Sequence, residues 1–293
     1  MERTSYVLEL KDVSKSFSGI KVLSNVGFQL RFREVHALMG ENGAGKSTLM
    51  KIVMGIYKAD EGDIFLRGEQ VNIKDTSDAL SMGISMIHQE LSPIPEMTVA
   101  ENIFIGRESS RLGVFVNKRE MNRRAEQLLE EYNMSGDIRP GMKMKELSIA
   151  QVQMIEIIKA VSYDSGIIIM DEPTSSLSDK ESAELFKIIG QLRDNNVGII
   201  YISHRMEEVF QLADRVSVLR DGRFIGCKEV AETTQDQLVS MMVGRELDSV
   251  YPKNAAEKGD IAKKYHQDNK RQSEKKEVPA PLWFHHFLHS RVS

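Results

Sequence analysis

The sequence predicts an α/β fold: a mostly parallel sheet carrying a phosphate-binding loop, an N-terminal antiparallel β subdomain, a helical insertion and a disordered C-terminal tail. Three observations predict it. The glycine-rich run Gly40-Glu41-Asn42-Gly43-Ala44-Gly45-Lys46-Ser47-Thr48 follows the apolar stretch 35–39 and precedes a helix-forming stretch, 49–54. The apolar runs 167–170 and 199–203, bounded by Gly166 and Gly198, do not alternate, as expected of strands buried on both faces. Between residues 97 and 163 the pattern turns helical, with start signals of its own.

In chain order, residues 6–10 and 22–30 read as short strands with Ser18-Gly19 as a turn signal. Residues 62–73 hold a second pair of short strands around Arg67-Gly68, and 84–88 is a further strand. Together the first four suit an antiparallel sheet beside the phosphate loop. Asn117 followed by Glu120 marks a helix start, with Leu128 and Leu129 on a helix ending near Asn133. Ser148 and Gln151 have capping-box spacing, and Ile155, Ile158 and Val161 then recur at helical intervals. Residues 90–160 are therefore read as the helical insertion.

The last 40 residues differ in kind. From Lys253 to Glu277 there are eight Lys or Arg and five acidic residues, with little apolar content, so disorder or a loose helix is expected. The aromatic and histidine cluster 279–289 that follows fits a docking segment, a weak metal binder or a non-native end.

Composition excludes several classes. The chain of 293 residues is 41% hydrophobic and 28% charged, with a net charge of −4, so no global positive field invites nucleic acid. A single cysteine, Cys227, excludes an intrachain disulfide and suits a reducing compartment. The N-terminus has no apolar signal region. No stretch approaches the roughly 20 apolar residues of a bilayer span, so work at a membrane would require a partner.

The loop 40–48 matches G-x-x-x-x-G-K-[ST]. Its glycines permit a tight turn with inward N–H groups, Lys46 can reach β- and γ-phosphates, and the Ser47 hydroxyl can ligate Mg²⁺. The following helix turns its positive end to the phosphates. The strand 167–170 leads into Asp171-Glu172: Asp171 is placed to hold Mg²⁺, and Glu172 to orient and deprotonate an attacking water. Solvated acids at a strand end are the plainer alternative. Leu147-Ser148-Ile149-Ala150-Gln151, Gln89 and His204 complete the set. Taken singly, Ser148 reads as a helix cap, Gln89 as a polar loop residue and His204 as a packed or solvated histidine.

In their order and spacing these five motifs resemble the ATP-binding cassette (ABC) ATPase domain of P-loop NTPases over residues 4–250. The resemblance implies that two such domains sandwich ATP and that Ser148, Ile149, Ala150 and Gln151 complete the partner domain's site. It implies that Gln89 senses Mg²⁺ and links to a membrane partner, and that His204 contacts the γ-phosphate. Phe17 stands where the family has an aromatic that stacks on adenine; a core position in the small sheet is its alternative. The stretches 36–48, 88–91, 170–177 and 201–208 are similar to the first cassette of monosaccharide importers of the ribose, galactose or xylose type. That likeness implies a second ABC ATPase domain (from this chain or another), an integral-membrane sugar permease, an extracytoplasmic sugar-binding protein acting indirectly, and a peripheral place on the cytoplasmic face of the membrane. It reads the chain as half of a tandem ATPase, breaking near residues 251–252.

Three positions in two places depart from the general pattern. Ile149 and Ala150 replace the signature glycines, and Ser178 stands where an aspartate is common. Two further functional readings stay open: an ABC ATPase unrelated to transport, and a module that holds ATP without hydrolysing it.

Overall fold

The computed structural model describes residues 6–108, 110–111 and 115–244. The expectations for the tail at 253–293, and for a domain edge near 250, lie outside the described residues.

β1 (Tyr6–Phe17) and β2 (Ile20–Arg31) form an antiparallel hairpin closed by Ser18-Gly19, both with positive φ, the geometry that matches strand twist in a two-residue turn. β3 (Val35–Met39) leads through the phosphate loop into α1 (Lys46–Val53). β4 (Glu61–Leu66) and β5 (Glu69–Val71) pair around Arg67-Gly68, again a two-residue turn with both φ positive. β4 adds to β1, giving a four-stranded sheet in the order β2-β1-β4-β5.

α2 (Thr76–Ser81) precedes β6 (Ile84–Ile87). The expected helical insertion holds α3 (Val99–Ile103), α4 (Lys118–Glu131) and α5 (Ile149–Val161), but also a short antiparallel pair, β7 (Ser110–Arg111) and β8 (Phe115–Val116). The predicted caps form. The Asn117 side chain accepts from the Glu120 N–H, and α4 stops at a left-handed Asn133. β9 (Ile167–Asp171), α6 (Asp179–Asp194), β10 (Gly198–Ile202), α7 (Met206–Leu212), β11 (Arg215–Arg220), β12 (Arg223–Glu229) and α8 (Gln235–Val243) follow.

The central sheet has the order β12-β11-β3-β10-β9-β6. Five of its strands run parallel, and β12 returns antiparallel at the edge. Its two faces bury different layers. Val35, Ile168, Met170, Ile199 and Tyr201 pack with α3–α6, whereas Leu38, Ile167, Ile169, Ile200 and Ile202 pack with α1 and the β1–β2 hairpin. Burial on both faces explains why β9 and β10 read as continuous apolar runs rather than alternating ones. Because β3, β6, β9 and β10 are parallel, their carboxyl ends share one edge. The polar residues that follow each strand converge there, the edge where parallel α/β sheets place ligands.

Candidate functional site

The loop between β3 and α1 depends on glycine at two close approaches. A Cβ on Gly40 would stand 2.3 Å from the Leu219 carbonyl oxygen, and one on Gly45 would meet Leu23 at 2.6 Å. Both carry positive φ, so a side chain is excluded by strain as well as space. Lys46 then opens α1, 8% exposed, its Nζ donating to the carbonyls of Gly40 at 2.7 Å and Glu41 at 3.0 Å. Burial lowers the Lys46 pKa, and the nearby carboxylates of Glu172 and Asp171 oppose that shift.

From the ends of β6, β9 and β10 come Gln89, Asp171-Glu172 and His204. Glu172 has a left-handed backbone, φ +47°, pinned by its N–H donating to the Ile202 carbonyl at 2.9 Å. Such a conformation costs an ordinary residue roughly 1–2 kcal/mol and is common where function fixes a side chain's direction. Both oxygens of its carboxylate are engaged. Gln89 Nε2 donates to Oε2 at 2.9 Å, and His204 Nδ1 lies 2.9 Å from Oε1. Asp171 is pushed up by desolvation and by the Glu172 charge, against the pull of Lys46, His88 and a hydrogen bond with Ser47.

Gly40, Glu41, Asn42, Gly43, Gly45, Lys46, Ser47, Thr48, Gln89, Asp171, Glu172 and His204 all line one cavity of about 670 Å³. Ala44 is buried beneath the loop. Val22 from β2 and Met242 from α8 complete the lining. Neither carries a polar signature, and Met242 reaches the cavity only through the fold.

Two predicted site elements do not join it. Phe17 is absent from the lining; its ring packs edge-on against Tyr57 at 5.0 Å between centroids. At 37% exposed it is not a core residue. The segment 148–151 starts α5, where Ser148 and Gln151 form a reciprocal capping box: Ser148 N–H donates to Gln151 Oε1 at 2.9 Å, and Gln151 N–H to Ser148 Oγ at 3.2 Å. Ser148, Ala150 and Gln151 line a different cavity, about 740 Å³, with Ser178. Ser178 caps α6 in the same reciprocal manner with Glu181. Ile149 projects outward, 64% exposed.

A phosphate loop at the end of a parallel strand, facing paired acids at the end of another, defines a P-loop nucleotide-binding domain. The ABC transporter family model matches residues 23–175, just over half of the chain, and the chain belongs to that family.

A Geobacillus kaustophilus protein named for ATP binding in import of ribose, galactose and methyl galactoside is 52% identical over 258 residues, covering 88% of this chain and 51% of its own length. The ribose import ATP-binding protein RbsA of Chromobacterium violaceum is 49% identical, covering 86% of this chain and 50% of its own. The chain thus spans about half the length of the curated relatives it matches. Among solved structures, the ADP conformation of an ATP-binding cassette from an ABC transporter superposes with TM-score 0.72 at 26% identity, over 85% of this chain and 99% of its own.

Proposed function

We propose that this chain is the ATP-binding and ATP-hydrolysing cassette of a sugar importer, working with a membrane permease and a second cassette. One observation carries the ATPase reading: the residues of four separate motifs line a single cavity at the carboxyl edge of the parallel sheet.

The donor set suits Mg²⁺·ATP. Ser47, Gln89 and Asp171 offer neutral and anionic oxygens, the ligand type of a hard cation. Asp171, desolvated and repelled by Glu172, gains from a positive charge nearby. Among the described residues no cluster of three or more His, Cys, Asp or Glu forms a complete metal cage. That fits an ion held by few protein groups and completed by substrate phosphates. When bound, Mg²⁺ supplies charge neutralisation at the phosphates, with Ser47, Gln89 and Asp171 as its protein ligands.

The chain's own residues then divide the work. Loop amides and Lys46 hold the phosphates in place of the Gly40 and Glu41 carbonyls that Lys46 now contacts. The left-handed backbone of Glu172 aims its carboxylate into the cavity, where it orients a water and accepts its proton. His204, hydrogen-bonded to Glu172, steadies the γ-phosphate. The adenine lies outside the phosphate cavity against the exposed part of Phe17. Positioning and electrostatics supply most of the catalysis.

The import reading and its sugar class, ribose or galactose, rest on the relatives' names. Gln89 and the segment with α3–α5 are the proposed link to the permease, and the signature 148–151 is proposed to face another cassette. A peripheral position on the cytoplasmic membrane face follows from the permease; among the described residues no helix is long and apolar enough to cross a bilayer. Domain limits of 4–250, with a helical part near 90–160, are part of the same proposal.

The test is ATP hydrolysis by the purified chain over a range of concentrations, with Glu172→Gln alongside, and co-purification with a membrane permease. Glu172-dependent turnover and recovery of a permease are expected. Turnover unaffected by Glu172→Gln would remove the catalytic assignment, and recovery with ribosomes would remove the transport reading.

A further inference from the structure

Glu208, in the first turn of α7, is a buried carboxylate outside the cavity. It is 5% exposed, yet four groups converge on it. Thr174 Oγ1 donates to Oε1 at 2.7 Å, and Arg205 NH1 lies 2.8 Å from the same oxygen. Tyr201 OH donates to Oε2 at 2.8 Å and Ser203 Oγ at 2.9 Å. Ser203 Oγ in turn accepts from the Arg205 N–H at 3.0 Å. A buried charge is tolerated only when so satisfied.

The partners' places in the chain give this network its meaning. Thr174 lies two residues beyond Glu172, in a turn where the Ser175 N–H donates to the Glu172 carbonyl at 3.2 Å. Ser203 immediately precedes His204. Oε1 therefore ties the loop that carries Glu172, through Thr174, to Arg205 just after His204, and Oε2 holds Ser203 just before His204. Where the two strands end, the Glu172 N–H also donates to the Ile202 carbonyl at 2.9 Å. The Glu172–His204 contact at 2.9 Å is the most distal part of the same frame.

We propose that Glu208 is a positioning residue that fixes the separation of Glu172 and His204 by clamping their two loops from below. This rests on the ATPase reading of that pair, and it goes beyond it by assigning the frame to one residue that touches neither the phosphate cavity nor its ligands.

The test uses the full chain with Glu208→Gln, which keeps shape but loses the charge and one acceptor, beside Glu172→Gln. Thermal unfolding checks the fold. The His204 imidazole NMR resonances, identified by their loss in His204→Ala, report the pair directly, and steady-state Mg²⁺·ATP hydrolysis gives kcat and KM. The expected result is a shift of the His204 resonances in the direction produced by Glu172→Gln, with kcat down at least tenfold and KM within threefold.

A folded Glu208→Gln chain whose His204 resonances match the wild type would overturn the proposal, leaving Glu208 a stabilising core group only. Should the wild type show no turnover, the ATPase reading of this chain fails, and the His204 resonances still decide the clamp. Should Glu208→Gln not fold, Thr174→Val removes one donor at near-constant shape and carries the same resonance test.

Discussion

The phosphate cavity and the start of α5 are both polar helix-entry regions, yet they are built in opposite ways. At the cavity, residues far apart in sequence meet: Glu172 contacts Gln89 and His204, and Gly40 lies against the Leu219 carbonyl. At α5, Ser148 and Gln151 satisfy each other within one turn, and Ile149 is left projecting into solvent. The first region is a site the fold assembles from its own parts. The second is a finished cap whose outer face has no partner among the described residues. A phosphate half-site and an outward-facing helix start are what the proposed sandwich of two cassettes requires.

The sharpest way to break this contrast is Glu172→Gln. Loss of a positioned general base lowers kcat by about 10²–10⁴-fold, with Mg²⁺·ATP affinity little changed, as read by steady-state hydrolysis and equilibrium binding. A drop of less than tenfold would remove Glu172 from the chemistry.

A second effect concerns the strand that supports the loop. His36, 1% exposed in β3, donates to or accepts from Ser217 Oγ at 2.8 Å, near the Glu34–Arg215 ion pair. Burial lowers its pKa to about 4, despite the opposing pull of Glu34. The unfolded chain, with an ordinary histidine near 6.5, binds this proton first as pH falls. Stability from the neutral imidazole is therefore complete above about pH 6.5 and is lost progressively toward pH 4, by up to about 3 kcal/mol. Denaturant unfolding across this window should show the slope, and His36→Gln should flatten it.

The smaller effects sharpen the α5 side. Ser148→Ala removes a helix cap and is expected to cost about 1 kcal/mol in denaturant unfolding, with ATP affinity of the chain unchanged within about twofold. Ile149→Gly is expected to leave that affinity unchanged as well. If the chain pairs with itself, it should raise turnover at high protein concentration by clearing bulk from the signature; unchanged turnover in a paired chain would show that Ile149 is not the obstacle.

Much of this architecture was legible where local chemistry decides. Ser18-Gly19 and Arg67-Gly68 mark real hairpin turns, and Asn117, Glu120, Ser148 and Gln151 mark real helix starts. The hairpin strands β1 and β2 are longer than their alternation shows, because bulges break the period. Asp12 and Asn25 adopt positive φ, the register shifts between Leu10 and Val13, and Ser14 bonds Asn25 across the irregularity.

The hairpin β11–β12, outside the strands expected from the sequence, turns on Asp221-Gly222 with both φ positive, the same two-residue signal as at Ser18-Gly19. The strand order, which sets β9 between β6 and β10 and so gathers Gln89, Glu172 and His204, has no local signature at all. For Glu208, the distant partner is Thr174, which arrives from the turn after β9; nothing in the residues around Glu208 announces it.

The most direct test of the contrast is equilibrium Mg²⁺·ATP binding by the wild-type chain, Lys46→Ala and Ser148→Ala, measured with a fluorescent nucleotide at concentrations where the chain is monomeric. The account predicts that Lys46→Ala abolishes measurable binding while Ser148→Ala binds as the wild type does. Retained binding in Lys46→Ala, or equal loss in Ser148→Ala, would contradict a phosphate site that the chain completes by itself.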